Sequence, residues 1–292
     1  MLPVLFTLPT PWGSQPIYAY GVLLGLSLIA GYQIAVRVAA RMDDLPEDLA
    51  GSAYLAAALS GVAGARLLYV LENRESFAGV PIAGWFDVTA GGVTAYGGFL
   101  GGLLGAAAYL AIKRAPLSAF ADAAAPALAL GTVLTRIGCY LYGCDFGTLL
   151  PDAAASWLKA LGTFPRWQLE ALDIYGSPAF LYHVDRYGLE SDAPGSLPVH
   201  PTQLYESAIG VLLLALSIAL LRRRAFRGQV ILAVAIAYAL FRFLFEYLRD
   251  DPERYFAFGF SSAQLISIAV VGLGALTYAV RSSRAHRAGS EV

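Results

Sequence analysis

The segment RIGCYLYGCDFG, residues 136–147, decides how the fold of this chain is interpreted. It lies at the end of a long apolar run, yet it contains an arginine and the chain's only two cysteines, Cys139 and Cys144. About 20 apolar residues are enough to cross the hydrocarbon core of a bilayer. The segment therefore predicts the end of a membrane span whose charge, Arg136, must face a wet cavity or a partner.

The composition supports a membrane protein. Of the 292 residues, 58% are hydrophobic and only 14% are charged, whereas soluble domains carry about 25% charged residues. The net charge of −1 gives no reason to expect a nucleic-acid partner. The first 19 residues contain no Lys or Arg, so we expect an interfacial arm there and no cleavable signal peptide.

Seven apolar runs are long enough to cross about 30 Å of hydrocarbon. They lie near residues 18–39, 50–71, 91–112, 120–142, 202–221, 229–249 and 262–280. The polar stretch 145–199 is too long for a hairpin turn. We therefore expect an all-α integral membrane protein: one membrane domain over residues 1–292, with seven transmembrane helices and a small extracytoplasmic head between helices four and five.

Lysine and arginine are distributed unevenly between the two sides of these spans. Eleven follow spans one, three, five and seven, whereas six lie in the N-terminal arm and after spans two, four and six. Cytoplasmic loops carry the excess of Lys and Arg. We therefore expect the N-terminus and the head to face outward and the C-terminus to lie in the cytoplasm.

The charged residues within or at the edge of the apolar runs include Arg66, Arg136, Glu206, Arg242 and Glu246. Each central charge costs at least about 2.5–3.5 kcal/mol to insert. Arg242 and Glu246 are four residues apart and could satisfy each other. One polar cavity with an excess of positive charge explains all five together, and it would suit an anionic head group, because arginine binds phosphate bidentately.

Two other motifs carry candidate site residues. GGVTAYGGFLGGLLG, residues 91–105, is rich in glycine; most of these glycines indicate close helix packing, or the backbone around Tyr96 approaches a ligand. HPTQLYES, residues 200–207, places His200, Gln203 and Glu206 at spacings of three, which predicts one face of the first turns of span five. His183 and His200 are the candidates for an imidazole base outside the membrane.

Seven motifs, in order along the chain, resemble those of the prolipoprotein diacylglyceryl transferases, which are bacterial inner-membrane enzymes. They are AYGVLLG at 19–25, AGARLLYVL at 63–71, GGVTAYGGFLGG at 91–102, RIGCYLYGCDFG at 136–147, HPTQLYE at 200–206, YALFRFLFEYLRDDPER at 238–254 and SSAQLISI at 261–268. The resemblance implies transfer of the diacylglyceryl group of phosphatidylglycerol to the lipobox cysteine of a prolipoprotein, with release of glycerol phosphate. It implies membrane lipids and prolipoprotein signal peptides as partners, and neither a metal nor a cofactor.

The same resemblance implies the site residues. Arg136 and Arg242 would stabilise the phosphate and the leaving group, Glu246 would orient Arg242, and Tyr20 and Tyr238 would position the lipid head. The expected catalytic residues are Arg136, Arg242, Glu246, Tyr96 and Tyr238. The expected substrate-binding residues are Tyr20, Arg66, Gly97, Gly98, Cys139, Cys144, Gly147, His200, Gln203, Tyr205, Glu206 and Arg249.

Three positions depart from the motifs of this family. Tyr96 stands where a histidine is usual, and Cys139 and Cys144 stand where asparagine and glutamate are usual. A phenol holds its proton at neutral pH and can only donate, so a base would have to be Glu206, Glu246, His200 or the substrate phosphate. The protein is then a transferase of this kind, a divergent paralogue with another acceptor or lipid-remodelling reaction, or a non-catalytic lipid-binding protein.

The cysteines themselves allow three interpretations. They are small apolar filler, or one is a nucleophile or transient carrier in the cationic cavity, or they form a disulfide. Residues five apart in a continuous helix lie about 8–9 Å from each other, which exceeds disulfide reach. A disulfide would therefore need a break in the helix, which Gly143 could supply.

Overall fold

The computed structural model describes residues 1–10, 13–42, 45–86, 92–169, 174–250 and 255–290. The helices are α1 (Ala19–Ala39), α2 (Glu47–Glu72), α3 (Ile82–Trp85), α4 (Ala95–Ile112), α5 (Leu117–Tyr142), α6 (Ser156–Gly162), α7 (Pro178–Tyr187), α8 (Thr202–Leu221), α9 (Gln229–Phe245) and α10 (Ser262–Ser290). A 3-10 turn, Glu246–Leu248, continues α9. Within the described residues, seven helices are long and apolar enough to cross a membrane: α1, α2, α4, α5, α8, α9 with its 3-10 turn, and α10. The expected all-α integral membrane fold is confirmed.

In the described parts of the chain, the strands form three small antiparallel sheets of two strands each. They are β1 (Val4–Thr10) with β2 (Gly13–Tyr18), β3 (Gln168–Leu169) with β4 (Ile174–Tyr175), and β5 (Tyr255–Ala257) with β6 (Phe260–Ser261). The first hairpin occupies the N-terminal arm, where Leu8 pairs with Gln15, and it leads directly into α1. Four prolines within the first 19 residues explain why this arm is not helical, because proline lacks an N–H and is disfavoured in a helix interior.

Helix bounds differ from the sequence expectation at several places. The third span begins at Ala95 and not near residue 91, the fourth already begins at Leu117, and the last helix continues to Ser290. The expectation that His200 shares a helix face with Gln203 and Glu206 is wrong. Pro201 caps α8 and the helix starts at Thr202, because a residue before proline is disfavoured in the helical region.

The contacts divide the chain into two compact units, Ala30–Ala127 and Met1–Ile29 with Leu128–Val292. We refer to them as the middle unit and the terminal unit. In the middle unit, α2 packs against α4 through glycines, and a Cβ on Gly97 would collide with the carbonyl oxygen of Gly64. Small residues allow such close backbone approach between membrane helices. Close packing is therefore the role of Gly97. The expected single membrane domain with a 145–199 head stays a prediction.

In the terminal unit, the second half of α5 packs against α8. The Ser207 hydroxyl donates to the carbonyl oxygen of Val133 over 3.3 Å. A Cβ on Gly210 would lie 3.0 Å from the backbone nitrogen of Val133, so this glycine lets the two helices come close. Helix α9 packs between α8 and α10. This arrangement brings the polar ends of α5, α8 and α9 together.

The polar stretch that follows α5 has its own small core, in which Phe164, Ala179 and Val199 are fully buried. Tyr140 of α5 packs on Phe164, and its hydroxyl donates to the carbonyl oxygen of Leu161 over 2.9 Å. Helix α7 starts at a Ser177 cap, whose hydroxyl accepts from the backbone N–H of Phe180. These contacts hold the end of α5 in place, and the signature segment lies there.

Candidate active site

The signature segment turns sharply at the end of α5. Gly143 has φ +81°, in the left-handed region, and the backbone N–H groups of Gly143 and Cys144 both donate to the carbonyl oxygen of Cys139. This is the closure expected where a glycine ends a helix. Asp145 is also left-handed, with φ +57°, which aspartate tolerates better than most residues. The chain therefore folds back and directs the Asp145 carboxylate toward α5.

Arg136 is the centre of the resulting polar cluster. Its Nη1 donates to Asp145 Oδ2 over 2.8 Å, and its Nε lies 2.7 Å from Glu206 Oε2. The Tyr238 hydroxyl accepts a hydrogen bond from the same guanidinium. The side chain is about 20% exposed. A half-buried arginine held by two carboxylates has a fixed orientation and keeps its charge.

Asp145 connects Arg136 to the segment after α9. Its Oδ1 accepts from Arg249 Nη2 over 3.0 Å. The backbones of the two segments also pair: Gly147 forms a β-bridge with Arg249, and Thr148 N–H donates to the carbonyl oxygen of Leu248. Burial alone would raise the pKa of Asp145, but the Arg249 and Arg136 cations outweigh it and hold this pKa below its ordinary value.

Arg242 and Glu246 form an ion pair one helical turn apart, as their spacing predicts. Glu246 is buried and also contacts the Ser261 side chain. A narrow cleft of about 10 Å³ lies beside this pair. It is lined by Glu206, Ile209, Tyr238, Phe241, Arg242 and Phe245.

Two acceptor oxygens near the signature turn lack hydrogen-bond donors among the described residues. Gln203 donates from Nε2 to the carbonyl oxygen of Cys144, but its Oε1 is buried and has no partner there. Glu206 is 4% exposed, and its Oε1 likewise has no hydrogen-bond partner there. Its Oε2 lies at ion-pair distance from Arg136, but the two groups are not aligned for a hydrogen bond. Buried acceptors without donors are costly. A ligand with hydroxyl or thiol protons would satisfy them.

Three further predicted residues lie at this site. Tyr20 in the first turn of α1 packs against the backbone of Gly138 on α5. His200 Nδ1 lies 3.3 Å from the Tyr205 hydroxyl, and Tyr205 stacks on Phe245. Burial lowers the pKa of His200, so its ring is neutral at pH 7. The terminal unit thus contains most of the predicted residues: Tyr20, Arg136, Cys139, Cys144, Gly147, His200, Gln203, Tyr205, Glu206, Tyr238, Arg242, Glu246 and Arg249.

Both cysteines are free thiols at the end of α5, Cys139 buried and Cys144 half-buried. The helix break that the sequence suggested at Gly143 is present. Each thiol lies close to the Asp145 carboxylate. The disulfide interpretation therefore does not describe this structure.

Four predicted residues belong to the middle unit: Arg66, Tyr96, Gly97 and Gly98. The guanidinium of Arg66 donates from Nε to the carbonyl oxygen of Trp85 over 2.7 Å and from Nη1 to that of Gly92 over 2.9 Å. These bonds give it a structural role in the middle unit. Tyr96 lies in the first turn of α4 and is about half exposed.

Sequence reasoning missed Asp145 and misjudged the charge balance. Asp145 is the only carboxylate between Arg136 and Arg249 in the described part of the terminal unit. Three cations, Arg136, Arg242 and Arg249, therefore meet three anions, Asp145, Glu206 and Glu246. Among the residues that the structure describes, the expected excess of positive charge in this cluster is absent, because Asp145, a left-handed aspartate next to a glycine-ended helix, gave no periodic signal.

His183 is not a candidate base. It is fully buried on α7, and its Nδ1 accepts from the backbone N–H of Leu197 over 3.0 Å. Burial lowers the pKa of His183, although Asp250 opposes the effect. This histidine stabilises the fold of the polar stretch.

Comparison with known proteins gives consistent matches along the chain. Residues 3–280 match the model of the family described as prolipoprotein diacylglyceryl transferase. A phosphatidylglycerol–prolipoprotein diacylglyceryl transferase of Thermus thermophilus is 32% identical over 238 residues, which is 80% of each chain. That of Geobacter sulfurreducens is 30% identical over 287 residues, covering 97% of this chain and 95% of the relative. A second form from Clostridium perfringens is 26% identical over 275 residues, 93% of each chain.

Proposed function

Because the chain belongs to the prolipoprotein diacylglyceryl transferase family, we propose that this membrane enzyme transfers the diacylglyceryl group of phosphatidylglycerol to a lipobox cysteine thiol of prolipoproteins. In this reaction the bond between the diacylglyceryl carbon and the phosphate oxygen breaks and a carbon–sulfur bond forms. Glycerol phosphate leaves with the electron pair, and the thiol proton passes to a base. The arginine and carboxylate cluster around Arg136 is the observation that supports this reaction most directly.

Phosphate binding explains the buried arginines. A phosphate oxygen takes the place of Glu206 at Arg136 Nε, while Arg242, held by Glu246, lines a cleft that Glu206 also lines. Planar guanidinium groups bind phosphate oxygens bidentately and stabilise the charge that grows on the leaving group. Tyr238 and Tyr20 border the cluster and orient the head group.

Glu206 is the base that the geometry favours. Glu246 is committed to Arg242, and His200 faces the Tyr205 hydroxyl. Glu206 has a free, buried Oε1 and lines the cleft beside Tyr238 and Arg242. Once phosphate has displaced it from Arg136, its carboxylate accepts the thiol proton. Positioned general bases contribute about 10²–10⁴-fold to rate.

Its place in the cell follows from the uneven distribution of cations. We place the chain in the bacterial inner membrane with the N-terminus and the polar stretch after α5 in the periplasm and the C-terminus in the cytoplasm. The signature turn would then lie on the outer side. Prolipoprotein signal peptides reach that side during export.

Complementation in cells depleted of the authentic transferase tests the function. The chain should restore viability and the mass increase of prolipoproteins, and Arg136→Ala should abolish both. Arg223→Ala, which removes an exposed arginine after α8, should rescue as well as the unmodified chain. Failure of the unmodified chain to modify any prolipoprotein, although it inserts in the membrane, would reject this function.

The substitutions within the motifs favour a second candidate, in which the same phospholipid cluster serves another acceptor. Tyr96 replaces the usual histidine, and Cys144 replaces the usual glutamate. Under this alternative the unmodified chain does not rescue, whereas Tyr96→His does. Rescue by the unmodified chain excludes it.

A further inference from the structure

The two thiols at the end of α5 lie next to the Asp145 carboxylate, and the proposed transfer reaction assigns no step to either thiol. Left-handed Gly143 returns the chain, so that Cys144 N–H donates to the Cys139 carbonyl oxygen over 3.2 Å. Both thiols are reduced and free. The two sulfur atoms and an Asp145 carboxylate oxygen all lie within 4.8 Å of one another.

This spacing is close to that of a tetrahedral metal site. Zinc binds thiolate sulfur at about 2.3 Å and carboxylate oxygen at about 2.0–2.2 Å, which separates neighbouring ligand atoms by about 3.3–3.8 Å. Small side-chain rotations therefore bring the three ligands into place. Cys139 is buried and Cys144 is half-buried, so one side of the cluster stays open for a water ligand.

We propose that Cys139, Cys144 and Asp145 bind a thiophilic divalent metal ion of the zinc group, with water as the fourth ligand. Binding converts two neutral thiols to thiolates and releases two protons, while no electron is transferred. The charge of the cluster is therefore unchanged. Soft thiolates select zinc-like ions over Mg²⁺ and Ca²⁺, which prefer oxygen ligands.

Local charge does not oppose such an ion. Arg136 and Arg249 are already balanced by Asp145 and Glu206. The two thiolates supply the two negative charges that the metal needs.

The metal would compete with arginine for Asp145. The carboxylate now binds Arg136 through Oδ2 and Arg249 through Oδ1. A metal ion that binds one carboxylate oxygen of Asp145 takes that oxygen away from its arginine and weakens the remaining ion pair. Arg136 is then held less firmly in its orientation. This consequence rests on the proposed function: zinc at the site inhibits diacylglyceryl transfer.

Cobalt titration tests the site without any turnover. The full chain, reduced and held in lipid nanodiscs, should develop sulfur-to-cobalt charge-transfer absorption that saturates at one Co²⁺ per chain and disappears when Zn²⁺ is added. Cys139→Ser and Cys144→Ser should each remove this absorption, and Asp145→Asn should weaken Co²⁺ binding at least about tenfold. Asp152→Asn, an exposed carboxylate nearby in sequence, should bind like the unmodified chain.

The metal site, its competition for Asp145 and the proposed function are each tested by a different result. Absence of charge-transfer absorption in the reduced chain, or its persistence in the Cys139→Ser/Cys144→Ser double variant, overturns the metal site. If Cys139→Ser does not fold, Cys144→Ser alone decides. Zn²⁺ should inhibit transfer by the unmodified chain over the same concentration range in which it displaces Co²⁺. Absorption without inhibition overturns the competition for Asp145, and a chain with no transferase activity still leaves the cobalt result decisive.

Discussion

At the residue scale, Asp145 shows how one carboxylate replaces another that has been lost. The motif that this segment resembles usually has glutamate at the position of Cys144, and this chain has a carboxylate one residue later, at Asp145. In regular structure a shift of one residue would turn the side chain away. The left-handed φ of +57° at Asp145 reverses that effect and brings the carboxylate to Arg136 and Arg249.

Asp145→Asn should lower transferase activity at least about tenfold, because it leaves two half-buried arginines without their shared anion; a lost charged hydrogen bond is worth about 1.5–3 kcal/mol. Initial rates with phosphatidylglycerol and a lipobox peptide measure this. Adding Cys144→Glu to Asp145→Asn should recover activity, since it returns a carboxylate to the adjacent position. No recovery would show that Asp145 does more than supply charge.

Glu206→Gln should lower the turnover rate by about 10²–10⁴-fold, the range for a lost general base. The amide keeps the shape of the side chain but cannot accept the thiol proton. The activity of this variant should rise with pH toward the ordinary thiol pKa of about 8.5, because the acceptor then ionises by itself. Glu190→Gln, an exposed site, serves as the control. A pH profile parallel to that of the unmodified chain would assign Glu206 a positioning role only.

At the scale of the element, the turn that ends α5 determines the site. A Cβ at Gly143 would lie 3.0 Å from Ser177 Cβ and 3.1 Å from Phe164 Cδ1, in addition to the left-handed strain. Gly188 ends α7 with φ +64°, but it has open space around it. Comparing alanine substitutions at these two glycines therefore separates the cost of backbone strain from the cost of close contacts.

Gly188→Ala should lower the free energy of unfolding by about 1 kcal/mol, which is the cost of placing alanine in the left-handed region. It should leave transfer unchanged. Gly143→Ala should lower the free energy of unfolding by at least about 1 kcal/mol more than Gly188→Ala, because close contacts add to the strain. It should also reduce transfer activity, because it displaces Asp145. Denaturant melts and rates on both variants measure the difference. Equal losses of stability and activity in the two would contradict this account.

The helices were predictable because length and apolarity alone indicate a membrane span, and all seven are confirmed. Arg242 and Glu246 pair as their spacing of four suggests. Contacts between distant segments were not predictable. Arg249 and Asp145 are 104 residues apart in the sequence. They come together where the backbone of Gly147, after α5, forms a β-bridge with that of Arg249, after α9. The spacing of His200, Gln203 and Glu206 likewise predicted one helix, but α8 begins only after Pro201, so His200 lies outside it.

At the scale of the whole molecule, the buried charges are neutralised by one another. Three arginines and three carboxylates are distributed over α5, α8, the end of α9 and the segments that follow α5 and α9. Breaking one such pair leaves an uncompensated charge and costs about 3–5 kcal/mol. Under the proposed function, the terminal unit therefore exchanges one anion for another when phosphate binds.

The stability of the whole chain should depend on pH through His183. Its Nδ1 must accept the Leu197 N–H, so a proton there would place two donors face to face. Burial holds the pKa of His183 below its ordinary value of 6.5, and the folded protein keeps the ring neutral. Below pH 6.5 the unfolded chain takes up a proton first. The free energy of unfolding therefore falls from that pH until the lower, folded pKa is reached.

Between pH 7.5 and 5.5 the unmodified chain should lose up to about 1 kcal/mol more stability than His183→Asn, because one pKa unit corresponds to about 1.4 kcal/mol. Asparagine keeps an acceptor for Leu197 but does not titrate in this range. Unfolding is followed by tryptophan fluorescence, with Trp12, Trp85 and Trp157 replaced by Phe so that buried Trp167 reports on the polar stretch that contains His183. Asp185→Asn, an exposed substitution on the same helix, should keep the full pH dependence. Identical pH profiles for the unmodified chain and His183→Asn would mean that other groups control acid unfolding.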